Sequence, residues 1–291
     1  MKRWITTLIV ILLVLVGLFL LLYPTLSDYM NSRNYRQAIA DFQDDVEKLD
    51  EETYEDLLAG ARAFNSHLAD KGGALIKLSK SERAEYESLL NFTGNGIMGD
   101  VTIEKIGVSL PIYHGTDEAV LQRGVGHQEG TSFPIAGESV HAVISGHSGM
   151  PSARLFTDID QLELGDTFTI RILKETLTYE VDRIQTLLPE AIDDQIIEKG
   201  REYCTLMTCT PYGINTHRLL VRGHRIETPA APGVPMEKGR PGLSIKLVLL
   251  GGAVLLGVLL VLAALLLRHD GLKRYRGHRL KERRYRSKER R

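Results

Sequence analysis

The chain has 291 residues, of which 43% are apolar and 25% charged, with 36 basic and 37 acidic side chains. These averages are typical of a globular protein of one or two domains and exclude a disordered or collagen-like chain. The charges are unevenly distributed, because residues 24–244 carry 21 basic and 34 acidic side chains whereas residues 268–291 carry 12 basic and three acidic ones. Nucleic acid is therefore not predicted as a partner, since its phosphates would be repelled by the acidic body.

The first predicted element is a membrane anchor over residues 1–26. It contains Trp4–Tyr23, an uncharged, mostly aliphatic run of 20 residues, which as a helix is about 30 Å long and can cross a bilayer core. A cleaved signal peptide is the alternative. The run is longer than the ~7–15 residues of a signal-peptide core, and no small-residue cleavage site follows it closely. We therefore predict that the anchor is retained.

Residues 27–94 are predicted to form a helical extension ahead of the main domain. Acidic residues 50–52 favour a helix start, because the positive end of the helix dipole stabilises negative charge. The carboxylate pairs of this region lack the spacing and the glycine of a calcium loop, so no metal site is predicted. Apolar residues recur at three- and four-residue spacing in two stripes, namely Tyr35, Ala38, Ile39, Phe42, Val46 and Leu49, then Tyr54, Leu57, Leu58, Ala61, Phe64 and Leu68.

Residues 95–226 are predicted to form a mainly β domain. Short runs rich in β-branched residues alternate with Gly, Pro and Asp, a pattern typical of an antiparallel barrel or sandwich. The predicted strands are Val101–Ile106, Ala142–Ser145, Phe168–Leu173, Leu177–Leu187, Tyr203–Cys209 and Arg218–Ile226.

The C-terminal region is predicted to return to the membrane. A proline-rich linker, residues 227–244, leads to a second transmembrane helix over residues 245–267. The basic tail, residues 268–291, is assigned to the cytoplasm by the positive-inside rule, and the basic residues ahead of the first span agree. We therefore predict a two-pass protein of the cell membrane, with both termini cytoplasmic and the body outside.

The chain has two cysteines, Cys204 and Cys209, in one predicted strand. Five strand steps separate their Cα atoms by ~16 Å, whereas a disulfide requires less than ~7 Å, so both thiols are predicted to be free. Cys209 ends the strand and precedes the turn-like residues 210–213, where a substrate could reach it. A Cys-x-x-Cys pair is absent, which disfavours a zinc site, and no cofactor is predicted.

A cysteine nucleophile needs a base and a donor for the oxyanion that forms after attack. Arg218 would lie beside Cys209 if the strands on either side of residues 210–217 form a hairpin, and its guanidinium presents forked donors. His147 follows the apolar run 142–145 and lies between glycines, a position suited to a cleft. Other histidines remain open as bases, although each is more often structural: His114, His127, His141, His217 and His224.

Taken together, these residues resemble the sortases, specifically the class C, pilin-polymerising type. Residues 205–209, Thr-Leu-Met-Thr-Cys, are similar to the Thr-Leu-x-Thr-Cys signature of that family. Residues 145–147 resemble the segment that carries its histidine, and Arg218 matches its essential arginine. Residues 110–116 and 124–127 also resemble this subgroup.

The resemblance implies a closed eight-stranded sortase-type β-barrel and a cysteine transpeptidase activity. Such enzymes cleave a Leu-Pro-x-Thr-Gly-like sorting signal, near the C-terminus of a surface protein, between Thr and Gly. By this resemblance Cys209 would attack the Thr carbonyl and form a thioester, His147 would supply and accept protons, and Arg218 would hold the oxyanion or the substrate backbone. In class C a pilin lysine amine then resolves the thioester, and an isopeptide bond joins the subunits of a pilus. The expected partners are pilin or surface-protein substrates and membrane lipid.

One departure from the class C pattern concerns the lid. Class C enzymes often carry an Asp-Pro-aromatic motif before the barrel, but here no proline lies between Pro24 and Pro111. Residues 71–91 are therefore expected to form a different lid or none. Three alternatives stay open: a wall-anchoring sortase, a thiol peptidase that transfers mainly to water, and a noncatalytic adaptor that presents its surface to partners.

Overall fold

The computed structural model describes most of the chain in two units. The described residues are 2–72, 75–189, 191, 197–228, 251–252 and 256–257. The first unit contains residues 2–26 together with 251–252 and 256–257, all helical, and the second contains the described residues from 27 to 228. Apart from those four helical residues, the predicted second span and basic tail lie outside the described residues, as does the linker beyond residue 228.

The N-terminal element is one long helix, α1, which runs from Lys2 to Glu47. Its part Ile11–Glu47 is long and apolar enough to cross a membrane, by length and composition, and is the one such helix in the described part of the chain. The helix continues through Pro24 and beyond residue 26, the predicted end of the anchor. Proline removes one backbone donor at that point, but the neighbouring turns stay helical.

Two further helices complete the predicted helical extension. α2, Glu51–Lys71, begins after Asp50, whose Oδ1 accepts a hydrogen bond from the Thr53 N–H at 2.8 Å. α3, Lys80–Ser88, begins with a capping box, in which the side chains of Ser79 and Glu82 each accept a bond from the other's N–H. Buried positions of α1 and α2 follow the predicted stripes: Tyr35, Ile39, Phe42, Val46, Leu58, Ala61, Phe64 and Leu68.

Eight strands close into a barrel in the order β1-β2-β3-β4-β7-β8-β6-β5. β5 pairs with β1 to close it, and the pairs β2–β3 and β4–β7 are parallel whereas the others are antiparallel. The predicted closed eight-stranded barrel with N-terminal helices is therefore confirmed. The strands are β1 Ile97–Ile103, β2 Val108–His114, β3 Val125–His127, β4 Val140–Ser145, β5 Thr167–Ile172, β6 Glu175–Leu187, β7 Glu202–Thr210 and β8 His217–Ile226.

Three parts of the barrel differ from the predicted strands. β1 begins four residues earlier than predicted and ends at Ile103, because Glu104–Ile106 form a 3₁₀ turn that closes on Gly107 at φ 65°. β2, which contains Pro111, and β3, which has three residues, were not predicted as strands. A single helical turn, α4, Glu118–Leu121, connects these two strands.

Side chains of the helical extension bond directly to the barrel domain. The buried amide of Asn65 on α2 donates to the Phe133 carbonyl at 3.0 Å and accepts from the Phe133 N–H at 2.7 Å. Tyr86 on α3 donates to the His127 carbonyl at 3.1 Å and accepts from the Gly115 N–H at 3.0 Å. These bonds satisfy polar groups that burial would otherwise leave unpaired, so the helices pack in one arrangement against the loops around β3.

Candidate active site

The hairpin of β7 and β8 brings Cys209 and Arg218 together. The antiparallel register pairs Cys209 with Arg218 and, two residues further along, Met207 with Leu220. Side chains directly opposite each other in an antiparallel pair lie on the same face of the sheet. Cys209 and Arg218 are both partly buried, so both lie at a rim that solvent reaches.

The parallel pairing of β4 with β7 brings His147 to the same rim. Ser145, the last residue of β4, is level with Met207, and the pairing continues through a bond from the Gly146 N–H to the Met207 carbonyl at 3.0 Å. The Thr208 hydroxyl donates to the Gly146 carbonyl at 2.7 Å. The strand pairing ends at Ser145 and Met207, and His147 and Cys209 each follow two residues later, so both lie at the same end of this strand pair.

The two cysteines have opposite surroundings. Cys204 is fully buried, and this burial raises the pKa of its thiol well above the ordinary value. Cys209 is partly exposed, and both thiols are free, as predicted. Because the thiolate is the nucleophilic form, Cys204 is suited to packing, and Cys209 is the thiol that a substrate can reach.

The guanidinium of Arg218 is held by the loop between β7 and β8. Its Nη1 donates to the carbonyl oxygens of Asn215 at 3.2 Å and His217 at 3.1 Å. Over the described part of the chain, no carboxylate forms an ion pair with Arg218. A guanidinium stays charged and presents forked donors, which suits it to bind an oxyanion.

The structure adds a residue that the sequence did not single out. The Oε2 atom of Glu118, on α4, lies 3.4 Å from Nε2 of His147. The sequence signal is faint, because Asp117 and Glu118 are simply an acidic pair directly after the family-like residues 110–116. The contact joins elements that lie about 30 residues apart, so local pattern could not predict it.

A leucine covers part of the outer surface beside Cys209. Val143, Met207 and Leu220, on three neighbouring strands, form an apolar patch, and Leu75 and Leu187 pack against it. Met207 lies two residues before Cys209 on β7, hence on the same face. The segment after α2 therefore places a leucine on this patch. The sequence lacks the Asp-Pro-aromatic motif whose aromatic residue was the expected lid of a class C enzyme.

The other candidate histidines lie elsewhere. His127 and His141 are buried, and both ring nitrogens of His114 face main-chain carbonyls. His217 is adjacent to Arg218 in the strand and therefore points to the opposite face. His224 pairs with Tyr203 near the other end of β7. Among these histidines and His147, the register therefore favours His147 as the partner of Cys209.

The chain is similar to known proteins over this whole region. A family model described as the Sortase domain matches residues 101–226. The solved structure of sortase C1 from Streptococcus agalactiae is 48% identical, with a TM-score of 0.64, and the match covers 66% of this chain and 99% of that chain. The chain belongs to the sortase family. Sortases are cysteine transpeptidases, so the predicted family and enzyme class are confirmed.

Two other sortases extend the comparison. The structure of Clostridium perfringens sortase C with the C-terminal cell wall sorting motif is 38% identical, covers 66% of this chain and 99% of that chain, and has a TM-score of 0.58. Sortase D of Bacillus subtilis is 32% identical over 133 residues, which are 44% of this chain and 63% of that protein. This chain thus covers less than two thirds of the Bacillus sortase.

Proposed function

We propose that this sortase is a class C enzyme that builds covalent pilus polymers on the cell surface. It cleaves a Leu-Pro-x-Thr-Gly-like signal between Thr and Gly and transfers the acyl group to a pilin lysine amine. The observation that carries the proposal is the pairing of Cys209 with Arg218 across β7 and β8, and the β4–β7 register, which ends two residues before His147 and Cys209, supports a common rim for all three. The names of the similar structures support the class, and the sorting motif in one of them supports the substrate.

The proposed reaction has two acyl transfers. The thiolate of Cys209 attacks the Thr carbonyl carbon, Arg218 donates hydrogen bonds to the oxyanion, and His147 protonates the glycine nitrogen as the peptide bond breaks. A thioester between Cys209 and the Thr carbonyl remains. The lysine amine then attacks this thioester, transfers a proton to His147, and releases Cys209 as the thiolate. After the two transfers, Cys209 is again a thiolate and His147 is again protonated.

The proposed location is the cell membrane, with the barrel, residues 95–226, outside. The apolar helix Ile11–Glu47 is compatible with an anchor at residues 1–26. A second span at residues 245–267, with the linker 227–244 before it and the tail 268–291 in the cytoplasm, is the other half of the proposal. The helical extension, residues 27–94, then lies outside together with the barrel.

The decisive experiment uses the full chain in lipid nanodiscs, a sorting-signal peptide and a lysine-containing acceptor peptide. We expect wild-type protein to release the C-terminal glycine fragment and to form the isopeptide product. Cys209→Ala should abolish both, and Cys204→Ala, the matched control at the buried thiol, should retain both. Cleavage that persists in Cys209→Ala would show that the assigned mechanism is wrong.

A wall-anchoring sortase is the second candidate, and the absent Asp-Pro-aromatic motif favours it. The two functions differ in the acceptor, so the same assay is run with the lysine peptide and with a peptidoglycan-type amine in competition. Preferential capture by the wall-type amine would replace pilin polymerisation by wall anchoring. Predominant transfer to water would indicate a thiol peptidase, and absence of any acyl adduct on Cys209 would indicate a noncatalytic adaptor.

A further inference from the structure

We infer that Glu118 is a positioning residue for His147, which holds Nε2 as the protonated nitrogen and so makes Nδ1 the nitrogen that exchanges protons. The inference starts from the contact of 3.4 Å between Nε2 of His147 and Oε2 of Glu118. The expected effect on kcat rests on the proposed function. The assignment of the tautomer does not depend on that function.

The carboxylate of Glu118 is itself held in place. Its other oxygen, Oε1, accepts a hydrogen bond from Nε2 of Gln122 at 2.9 Å, one helical turn further along. The turn that carries it is closed by bonds from the N–H groups of Val120 and Leu121 to the Asp117 carbonyl, at 2.9 and 3.0 Å. Although 70% of the Glu118 side chain is exposed, one oxygen is thus occupied and the other faces the imidazole.

The backbone on both sides of His147 is also fixed. The His147 carbonyl accepts a bond from the Phe156 N–H at 3.1 Å, and the preceding Gly146 N–H bonds to Met207 at 3.0 Å. The imidazole can then change its position mainly by rotation about its own side-chain bonds. A carboxylate at Nε2 restricts this rotation.

The chemistry of the pair fixes the tautomer. A carboxylate accepts hydrogen bonds and cannot donate one, so a carboxylate at 3.4 Å favours the tautomer that carries its hydrogen on the facing nitrogen, Nε2. A neutral imidazole carries a hydrogen on one nitrogen, and the partner of that nitrogen decides the tautomer. In the neutral ring Nδ1 of His147 is therefore the base. In the protonated ring the negative charge of Glu118 faces the new positive charge, as in other carboxylate–histidine pairs that orient a base.

The kinetic test compares Glu118→Ala and Glu118→Gln with Asp117→Asn in the full chain in nanodiscs. Asp117 is a matched control, because it carries the same charge one residue away and its side chain forms no cap bond to α4. We expect Glu118→Ala to lower kcat about tenfold, equal to ~1.4 kcal/mol, with the KM for the peptide within about twofold. Glu118→Gln keeps a side-chain oxygen that can accept from Nε2, so part of kcat should return. Asp117→Asn should keep kcat within about twofold.

An unchanged kcat in Glu118→Ala, or an equal loss in Asp117→Asn, would overturn the positioning role. The tautomer is read independently from the imidazole nitrogen shifts of protein labelled with ¹⁵N-histidine, with His147 assigned by its loss in His147→Asn. At a pH at which the ring is neutral, we expect the Nε2–H tautomer in wild type and a larger Nδ1–H population in Glu118→Ala. An Nδ1–H tautomer in wild type contradicts the inference. This measurement needs no turnover, so an inactive wild type would refute the proposed function and still leave the inference testable.

Discussion

The pairing of Cys209 with Arg218 depends on a register that tolerates no slip. Side chains of a strand alternate between its two faces, so a shift of one residue would turn Arg218 away from the thiol. The Arg218 guanidinium bonds to Asn215 and His217, within the connecting loop itself. The loop therefore positions the same side chain that the register selects.

Replacement of Arg218 by lysine should separate the effect of the positive charge from that of the planar arrangement of donors. Lysine keeps the positive charge but has a single ammonium in place of a planar fork of donors. If Arg218 holds the oxyanion, we expect Arg218→Lys to lower kcat for peptide cleavage by about 10²–10³-fold, the usual cost of losing an oxyanion donor. Arg201→Lys, at the exposed residue before the other end of β7, is the control and should keep its rate. Equal rates for both variants would argue against the assigned role.

A buried histidine makes stability depend on pH. His127 is fully buried, and this burial lowers the pKa of its imidazole to about 3. Its Nε2 bonds to the Ser132 carbonyl at 2.8 Å, and Tyr86 stacks on the ring. Because the folded-state pKa lies below the ordinary value near 6.5, the unfolded chain takes up the proton first as the pH falls. The stabilisation is complete above about pH 6.5 and is lost progressively towards pH 3.

We therefore expect the free energy of unfolding of wild-type protein to fall by about 2 kcal/mol between pH 7 and pH 5 through His127 alone. Urea denaturation at a series of pH values measures it. His127→Gln should be less stable at pH 7 and should show a shallower pH dependence. His217→Gln, at the partly exposed start of β8, should keep the wild-type slope. A wild-type slope in His127→Gln would assign the acid sensitivity to other groups.

At the scale of elements, the segment between α2 and α3 bears on access to the site. Leu75 packs on the patch of Val143, Met207 and Leu220 beside Cys209. If an apolar part of the sorting signal binds to this patch, Leu75 competes with it. We expect Leu75→Ala to lower the KM for the peptide about threefold. Full burial of a leucine side chain contributes ~2 kcal/mol, and the substitution removes part of this from the contact that competes with the peptide.

The control for this variant is Leu164→Ala, whose side chain is 69% exposed and lies in another part of the fold. Steady-state cleavage of the peptide by both variants gives the comparison. A KM that stays constant or rises in Leu75→Ala would mean that Leu75 supports the patch and does not occlude it.

Helices and strands could be predicted where apolar residues recur at a regular spacing along the chain. The stripes of α1 and α2 and the long strands β6, β7 and β8 carry clear apolar patterns, and the structure contains them. β2 escaped prediction because Pro111 interrupts its pattern, and β3 because three residues carry no period. The residues of the candidate site were nominated from sequence through a family resemblance and a hairpin argument. Glu118 was missed, because its contact with His147 joins α4 to the segment after β4, 29 residues away in the chain.

At the scale of the whole molecule, the charge distribution fits the proposed topology. The body between the apolar runs is acidic and the C-terminal tail is basic. Basic residues next to a span favour the cytoplasmic side. A barrel outside the membrane would meet substrates that are themselves anchored there, and its partly exposed Cys209 would be reachable from outside.

Cysteine labelling of intact protoplasts tests this topology with the chain's own thiol. A membrane-impermeant maleimide should label Cys209 in wild type, since Cys204 is buried. In a Cys209→Ala background, Ser66→Cys, at an exposed residue of α2, should also be labelled in intact cells. Ser287→Cys in the same background should be labelled only after permeabilisation, because the 12 basic residues of the tail favour the cytoplasmic side. Labelling of Ser287→Cys in intact protoplasts would exclude the two-pass arrangement, since a chain with one span would leave its C-terminus outside.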